Sequence, residues 1–133
     1  MKAAFIVDGS LPIGVLANCA AVLGTSLGAT HPDIVGAPLS DASGTVHPGI
    51  TGLPLPILAA DPELLSRIFR EASYDTAIAA TAFNDIARSC LSYADYEARL
   101  KASDYGSLRF LGILLVGPPK AINRLTGSLP LLR

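Results

Sequence analysis

Two unbroken apolar runs, "KAAFIVDG" near one end and "LRFLGILLVG" near the other, constrain this 133-residue chain more than any other feature. Runs of this length that do not alternate with polar residues read as strands buried on both faces, and such strands need helices above and below them. The first run stops at Asp8 and Gly9 and passes into "LPIGVLANCAAVLGTSLG". That stretch is apolar nearly all round, so the pattern predicts a helix covered on more than one side. Gly14, Ala17, Ala20, Ala21 and Gly24 are the small residues expected to let it lie close on a sheet.

Residues 30–56 are of another kind. They hold Pro32, Pro38, Pro48, Pro54 and Pro56, half of the ten prolines, with Gly36, Gly44, Gly49 and Gly52 between them. No helix survives that spacing. "SDASGT" reads as a turn between two short extended pieces, and "TGLPLPIL" as an edge strand, where missing proline N–H groups matter least. A proline-rich segment of this length is either an irregular edge hairpin or a functional element. Order returns at "DPELLSRIFREA", with Asp61 as cap, Pro62 at the first helical position, and Leu64, Leu65, Ile68, Phe69 and Ala72 on one face. "YDTAIAATAF" follows as a buried strand and "SYADYEARLKA" as a helix with Ser92 and Asp95 in capping-box positions. The order of elements predicts a single domain over residues 1–133, of α/β class, with a mainly parallel sheet covered on both faces.

Charged residues make up 16% of the chain and apolar ones 50%, where about a quarter charged is usual. Apolar surface is therefore left over for a core or for a self-association face, and residues 30–56 are the segment where a homo-oligomer would hide it. With a formal charge of −1 there is no broad positive field to gather a polyanion, which makes tRNA an unlikely partner. Cys19 and Cys90 belong to no CxxC pair and no Cys/His ligand spacing, so buried free thiols are expected and no metal or cofactor is implied. Residues 9–32 carry no charge, and "LANC" at Leu16 to Cys19 resembles a lipoprotein cleavage box. Asp8, Pro12 and Gly14 interrupt the apolar region such a signal needs, and Asn18 is a poor neighbour for a lipidated cysteine. The stretch reads as strand and helix of a cytoplasmic protein, with no membrane as partner.

In open parallel sheets, ligands gather outside the carboxyl ends of the strands. That rule selects Asp8, then Asn84 with Asp85, then Gly117 followed by Pro118, Pro119 and Lys120, and these three ends are expected to face one crevice. Asp8 and Asp85 would there form a carboxylate pair or recruit a divalent cation, or else each caps the turn that follows it. The Gly-Pro-Pro corner cannot cradle a phosphate, because Pro118 and Pro119 offer no N–H. His31 and His47 each precede a proline in extended backbone; His47 is the better site candidate of the two. Asn18 lies within the apolar helix and needs a hydrogen-bond partner, structural or ligand, if buried.

These residues carry a resemblance. "VGPPKAINRLTGSLPLL" resembles the carboxyl-terminal signature of type-two peptidyl-tRNA hydrolases, a strand, Gly-Pro, a short helix and a Thr-Gly-x-Leu ending. "VDGSLPIGVLANCAAVLGTSLG", "VHPGITGLPLPIL" and "KAINRLTGSLPLLR" together resemble an uncharacterised bacterial family, domain of unknown function number two thousand, over essentially the whole chain. Both resemblances imply a three-layer α/β/α sandwich around a small mixed sheet. The hydrolases carry a catalytic lysine at the start of the first helix, where this chain reads "SLPIGVLANC" without one. Their Asp-Ala-Gly-Arg-Thr motif is echoed by "DIARS", which implies Asp85 and Ser89 as catalytic candidates and Arg88 as a binding residue. The ligand-binding candidates are then Asp8, Asn18, His47, Arg88 and Lys120, around a small molecule in the crevice near Asp85. The competing reading is a non-enzymatic homo-oligomeric module, or a weak or modified aminoacyl or peptidyl ester hydrolase.

Overall fold

A computed structural model describes all residues, Met1–Arg133. Six strands and five α-helices follow one another: β1 (Lys2–Asp8), α1 (Ile13–Thr30), β2 (Leu39–Ser40), β3 (Val46–His47), β4 (Ile57–Ala60), α2 (Pro62–Ser73), β5 (Ala79–Asn84), α3 (Asp85–Ser89), α4 (Tyr93–Lys101), β6 (Phe110–Gly117) and α5 (Pro119–Thr126). β4, β1, β6 and β5 form the main sheet in that order, and β2 with β3 forms a separate hairpin.

The two apolar runs are the central strands β1 and β6, as their composition requires. The sheet is mixed but not mainly parallel: only β1 with β4 is parallel, while β6 runs antiparallel to both β1 and β5. The cause lies between β5 and β6. That connection leaves and returns at the same end of the sheet, where the backbone N–H of Asp85 donates to the carbonyl of Arg109 at 2.9 Å. Helix α4 has no buried residue and so cannot serve as a crossover layer lying across the sheet. Apolar periodicity marks where a strand lies and is silent on its direction.

Side chains of β1 alternate between two cores. Ala4 and Ile6 join Leu65, Ile68 and Ala72 of α2 and Ile122 of α5 on one face. Ala3, Phe5 and Val7 join Cys19, Leu23 and Leu27 of α1 on the other. Helices thus cover both faces. Leu111 is an extra residue opposite the Phe83 to Asn84 step, and this bulge turns Phe110 to the same face as Ile113. Helix α2 forms where its sequence places it: Asp61 accepts from the N–H of Leu64 at 2.8 Å, and Leu65, Ile68 and Ala72 are buried. Fully burying a leucine such as Leu65 contributes about 1.5–3 kcal/mol.

Helix α1 corrects an expectation. Only Cys19, Leu23 and Leu27 are buried, so it is covered on one face, because it is the outermost layer on its side. Close approach also comes from a different residue than expected. Gly14 and Gly24 face open space, whereas a Cβ on Gly112 of β6 would overlap Cys19 Sγ and lie 3.1 Å from Val7 Cγ1. With a mean hydropathy of 1.5 over its 18 residues, α1 is long and apolar enough to cross a membrane by composition alone; here it lies on the sheet.

Outside the β2–β3 hairpin, residues 30–56 are irregular except for one 3-10 turn at Pro32–Ile34, a correction to the expectation that the proline spacing excludes any helix. Pro32 opens that turn from the first position, where its missing N–H costs nothing, and β4 begins just after Pro56 as an edge strand. Val35 bridges Thr51 at the base of an arm whose residues 35–48 are all exposed, and Gly44 turns its tip at φ +81°. The far side of β4 is covered by the end of the chain: Ala59 N–H donates to the Pro130 carbonyl, and Leu132 N–H to that of Ile57, both at 2.9 Å. The stretch "VGPPKAINRLTGSLPLL" therefore closes the fold twice, once by seating Ile122 in the core and once by shielding a sheet edge.

Candidate crevice between Asp8, Asp85 and Arg109

β1 ends on a buried charge. Asp8 is 2% exposed, and its Oδ1 accepts from the backbone N–H of Ser10 at 3.0 Å and from the Ser10 hydroxyl at 2.6 Å. These bonds shape the turn that leads through Leu11 and Pro12 into α1. Asp8 Oδ2 takes no hydrogen bond, the one buried side-chain polar atom in the chain without a partner. Its nearest counter-charge is Nη2 of Arg109 at 3.5 Å, an ion pair too long to act as a hydrogen bond.

β5 ends beside it. Asn84, 4% exposed, accepts from the N–H of Ala87 at 2.9 Å and so caps α3. The next residue, Asp85, clamps Arg109 twice: Asp85 N–H donates to the Arg109 carbonyl at 2.9 Å, and Arg109 N–H donates to Asp85 Oδ1 at 3.0 Å. Arg109 is thereby fixed at the start of β6, with its guanidinium reaching Asp8. A crevice of about 430 Å³ opens here, lined by Leu11, Pro12 and Val15 at the start of α1 and by Asp85, Arg88, Arg109 and Leu111. Helix α1 begins with no side-chain cap and no acidic residue in its first turn. Its leading N–H groups and the positive end of its dipole are thus uncompensated by side chains.

The sequence-selected residues separate under this geometry. Asp85 and Arg88 line the crevice with Arg109, and Asp8 lies behind its wall, joined to it by the Arg109 guanidinium. The bare carboxylate pair does not form, because each acid meets Arg109 instead, one through its guanidinium and one through its backbone. Lys120 is at the opposite end of the sheet: β6 runs antiparallel to β1, so Gly117 pairs with Lys2 rather than ending near Asp8. Asn18 is exposed on α1 rather than buried, and no hydrogen bond holds its side chain. His47 sits on the projecting hairpin, Nε2 at 2.8 Å from Asp41 Oδ2. That contact, with the N–H groups of Thr45 and Ser43, holds the Asp41 carboxyl below its ordinary value. Ser89 is exposed at the end of α3, its hydroxyl donating to the Ile86 carbonyl at 3.1 Å. The residue missed is Arg109. Its signal, a lone arginine just before the last apolar run, has meaning only when that strand is known to start at the crevice.

No histidine or lysine lines the crevice. The crevice presents charge of both signs; the hydroxyl of Ser10 is committed to Asp8, and neither cysteine lines it. Burial pushes the Cys19 thiol up to about 11, and Cys90 is raised by desolvation and by Asp95. A second hollow, of about 470 Å³, lies between α1, β5 and α4, where Leu23, Phe83, Leu91 and Tyr93 give it an apolar lining with no charged side chain. Roomier as it is, it offers less chemistry than the crevice.

A family profile described as "Protein of unknown function (DUF2000)" matches residues 1–133. A solved structure of a protein of unknown function from Agrobacterium tumefaciens strain C58 superimposes with a TM-score of 0.87 at 22% identity, covering 98% of this chain and 96% of the other. At that identity the likeness is one of fold. No curated protein matches the chain.

Proposed function

Because this chain belongs to the DUF2000 family of proteins of unknown function, which passes on a fold and no reaction, we propose its role from the crevice itself: it binds a small polar molecule against Asp85, Arg88 and Arg109, with Asp8 behind the Arg109 guanidinium. The observation that carries this reading is Asp8 Oδ2, a buried carboxylate oxygen left without a hydrogen bond. Such a group costs stability and calls for an explanation, of which a bound ligand is one. In this reading the protein is cytosolic, and β1 belongs to the working molecule, since cleavage before Cys19 would remove Asp8. A thermal-shift screen of metabolite-sized compounds followed by amide NMR tests the proposal. Shifts confined to residues around Asp8, Asp85 and Arg109 are the expected result; a screen whose only hits map elsewhere overturns it.

The ending of the chain supports a type-two peptidyl-tRNA hydrolase-like ancestry for the fold, and "DIARS" forms α3 beside the crevice. The chemistry speaks for a modified activity at most. A positioned proton-transfer group is worth about 10²–10⁴ in rate, and no lysine lies between Lys2 and Lys101. Peptidyl-tRNA is accordingly expected to be turned over poorly or not at all in a release assay, and rapid turnover abolished by Asp85→Asn would refute this.

A second reading, self-association, is supported by the arm at residues 35–48, whose Leu39 and Val46 are 73% and 63% exposed, with Ile50 at its base 80% exposed. Light scattering across micromolar concentrations tests it, and a mass held at 13.7 kDa in low and high salt counts against it.

A further inference from the structure

The two faces of the sheet are covered unequally. On the face of Ala4 and Ile6, two helices, α2 and α5, bury side chains in the core. On the face of Phe5, Val7 and Phe83 only α1 does. A hollow of about 470 Å³ is left beyond the Val22, Leu23 and Ser26 flank of α1, and Thr81 and Phe83 of β5 contribute to its wall. Its other side is made by Leu91 and by Tyr93 and Tyr96 of α4, a helix with no buried residue of its own. Leu91 is fully exposed and Tyr93 is 83% exposed, so the apolar side chains of this stretch gather round a cavity rather than entering a core.

Shape, charge and ring content together narrow the occupant. The volume falls within the range of small-molecule sites, about 300–1,000 Å³. No charged side chain lines the hollow, so an ion entering it would lose hydration and meet no counter-charge. Three aromatic rings do line it, and those of Tyr93 and Tyr96 already stand edge to face, centroids 5.8 Å apart at 79°, an arrangement that a further ring extends. Thr81 lies on the same face of β5 as Phe83, and its hydroxyl has no hydrogen-bond partner in the chain, while that of Ser26 reaches only the Val22 carbonyl, at 3.5 Å. We propose that this hollow binds a small neutral aromatic molecule bearing one hydroxyl or N–H group, its ring against Phe83, Tyr93 and Tyr96 and its polar group on the Thr81 hydroxyl.

This site is separate from the crevice and does not depend on it. The two share no lining residue, and α3 stands between them, with Ala87 on the hollow and Asp85 and Arg88 on the crevice. Binding at one is therefore distinguishable from binding at the other by the amides that move and by substitutions confined to one side.

The experiment is an amide NMR titration of the full chain at pH 7 with β-naphthol, set beside β-naphthoate and β-naphthylmethylammonium, which put a charge on the same rings, and decahydro-β-naphthol, which keeps the hydroxyl and loses aromaticity. The expected result is saturable shifts at Thr81, Phe83, Ala87, Leu91 and Tyr93, with Kd for β-naphthol about tenfold or more below that of either ion and about threefold or more below that of the saturated alcohol. Tyr93→Ala, at an exposed position that does not threaten folding, should weaken β-naphthol about threefold or more. Thr81→Val, which keeps the shape and removes the hydroxyl, should weaken it about fivefold. Arg88→Gln, on the crevice side, should leave it unchanged. Equal affinity for the ions or for the saturated alcohol overturns the inference, as does the absence of saturable shifts at these amides. Shifts at the same amides on raising protein concentration alone, with a doubled mass in light scattering, would also overturn it, because a second copy of the chain would then fill the hollow beside the open edge of β5.

Discussion

The chain turns from a central strand into a helix at two corners that look alike on paper, "VDGSLPIGV" and "VGPPKAINR". Each has an apolar strand, glycine, proline and a helix start, yet they lie at opposite ends of the sheet and are built on opposite terms. The corner after β1 buries a carboxylate with one oxygen unsatisfied and opens a helix whose first amides have no cap. The corner after β6 likewise opens a helix without a side-chain cap, but it leaves no buried side-chain atom unpartnered: it seats Ile122 at 0% exposure and ties the buried Thr126 hydroxyl to the Ile122 carbonyl at 2.8 Å. The two corners differ in one buried group, the Asp8 carboxylate, and the ligand site proposed for the crevice depends on it.

The largest expected effect sharpens that contrast from the closing corner. Ile122→Ala removes a fully buried side chain from the core shared with α2 and should cost about 2–5 kcal/mol in urea denaturation, with crevice titrations unchanged in the folded protein. Loss of crevice binding at full stability would break the division of labour between the two corners.

The next effect comes from the helix that the site corner opens. Cys19, seated against Gly112, has its thiol pushed by burial from 9.0 to about 11. The folded state disfavours the thiolate, so this contribution is whole below pH 9 and disappears as pH rises from 9 through 11. A two-unit difference corresponds to about 2–3 kcal/mol by the upper end of that window. Denaturation of the wild type and of Cys19→Ala across pH 8–11 checks it: the wild type should lose stability more steeply, and parallel curves would place the thiol in contact with water.

Much of this was legible in residues. The apolar runs located β1 and β6, Asp61 and Pro62 started α2, and the prolines of residues 30–56 excluded an α-helix and led to an edge strand at Ile57. Asp8 and Asp85 were singled out because strand ends are marked by a change from apolar to polar, and Arg88 because "DIARS" echoes a hydrolase motif. Strand direction was not legible, since an apolar run reads the same way up or down, and the error exchanged Arg109 for Lys120 at the site. Burial of Asn18 was misjudged for a related reason: composition shows that a helix is apolar all round, while only the packed fold shows how many layers lie outside it.

The smallest effect is the sharpest test of the site corner, because it depends on an asymmetry between two halves of one ion pair. Arg109→Gln leaves the backbone clamps to Asp85 in place but strips Asp8, at 2% exposure, of its only nearby counter-charge. Leaving a buried charged group unpaired should cost about 1–3 kcal/mol at neutral pH. The reciprocal change is cheaper. Asp8→Asn keeps an acceptor for Ser10, exchanges a buried charge for a neutral amide, and returns to water an arginine side chain already 57% exposed, so stability should move by about 1 kcal/mol or less in either direction. Equal losses from the two substitutions would mean that Asp8 and Arg109 form an ordinary structural pair. A large loss for Arg109→Gln beside a small change for Asp8→Asn, with binding weakened in Asp8→Asn, would identify the carboxylate as a group kept for a ligand at the expense of the fold.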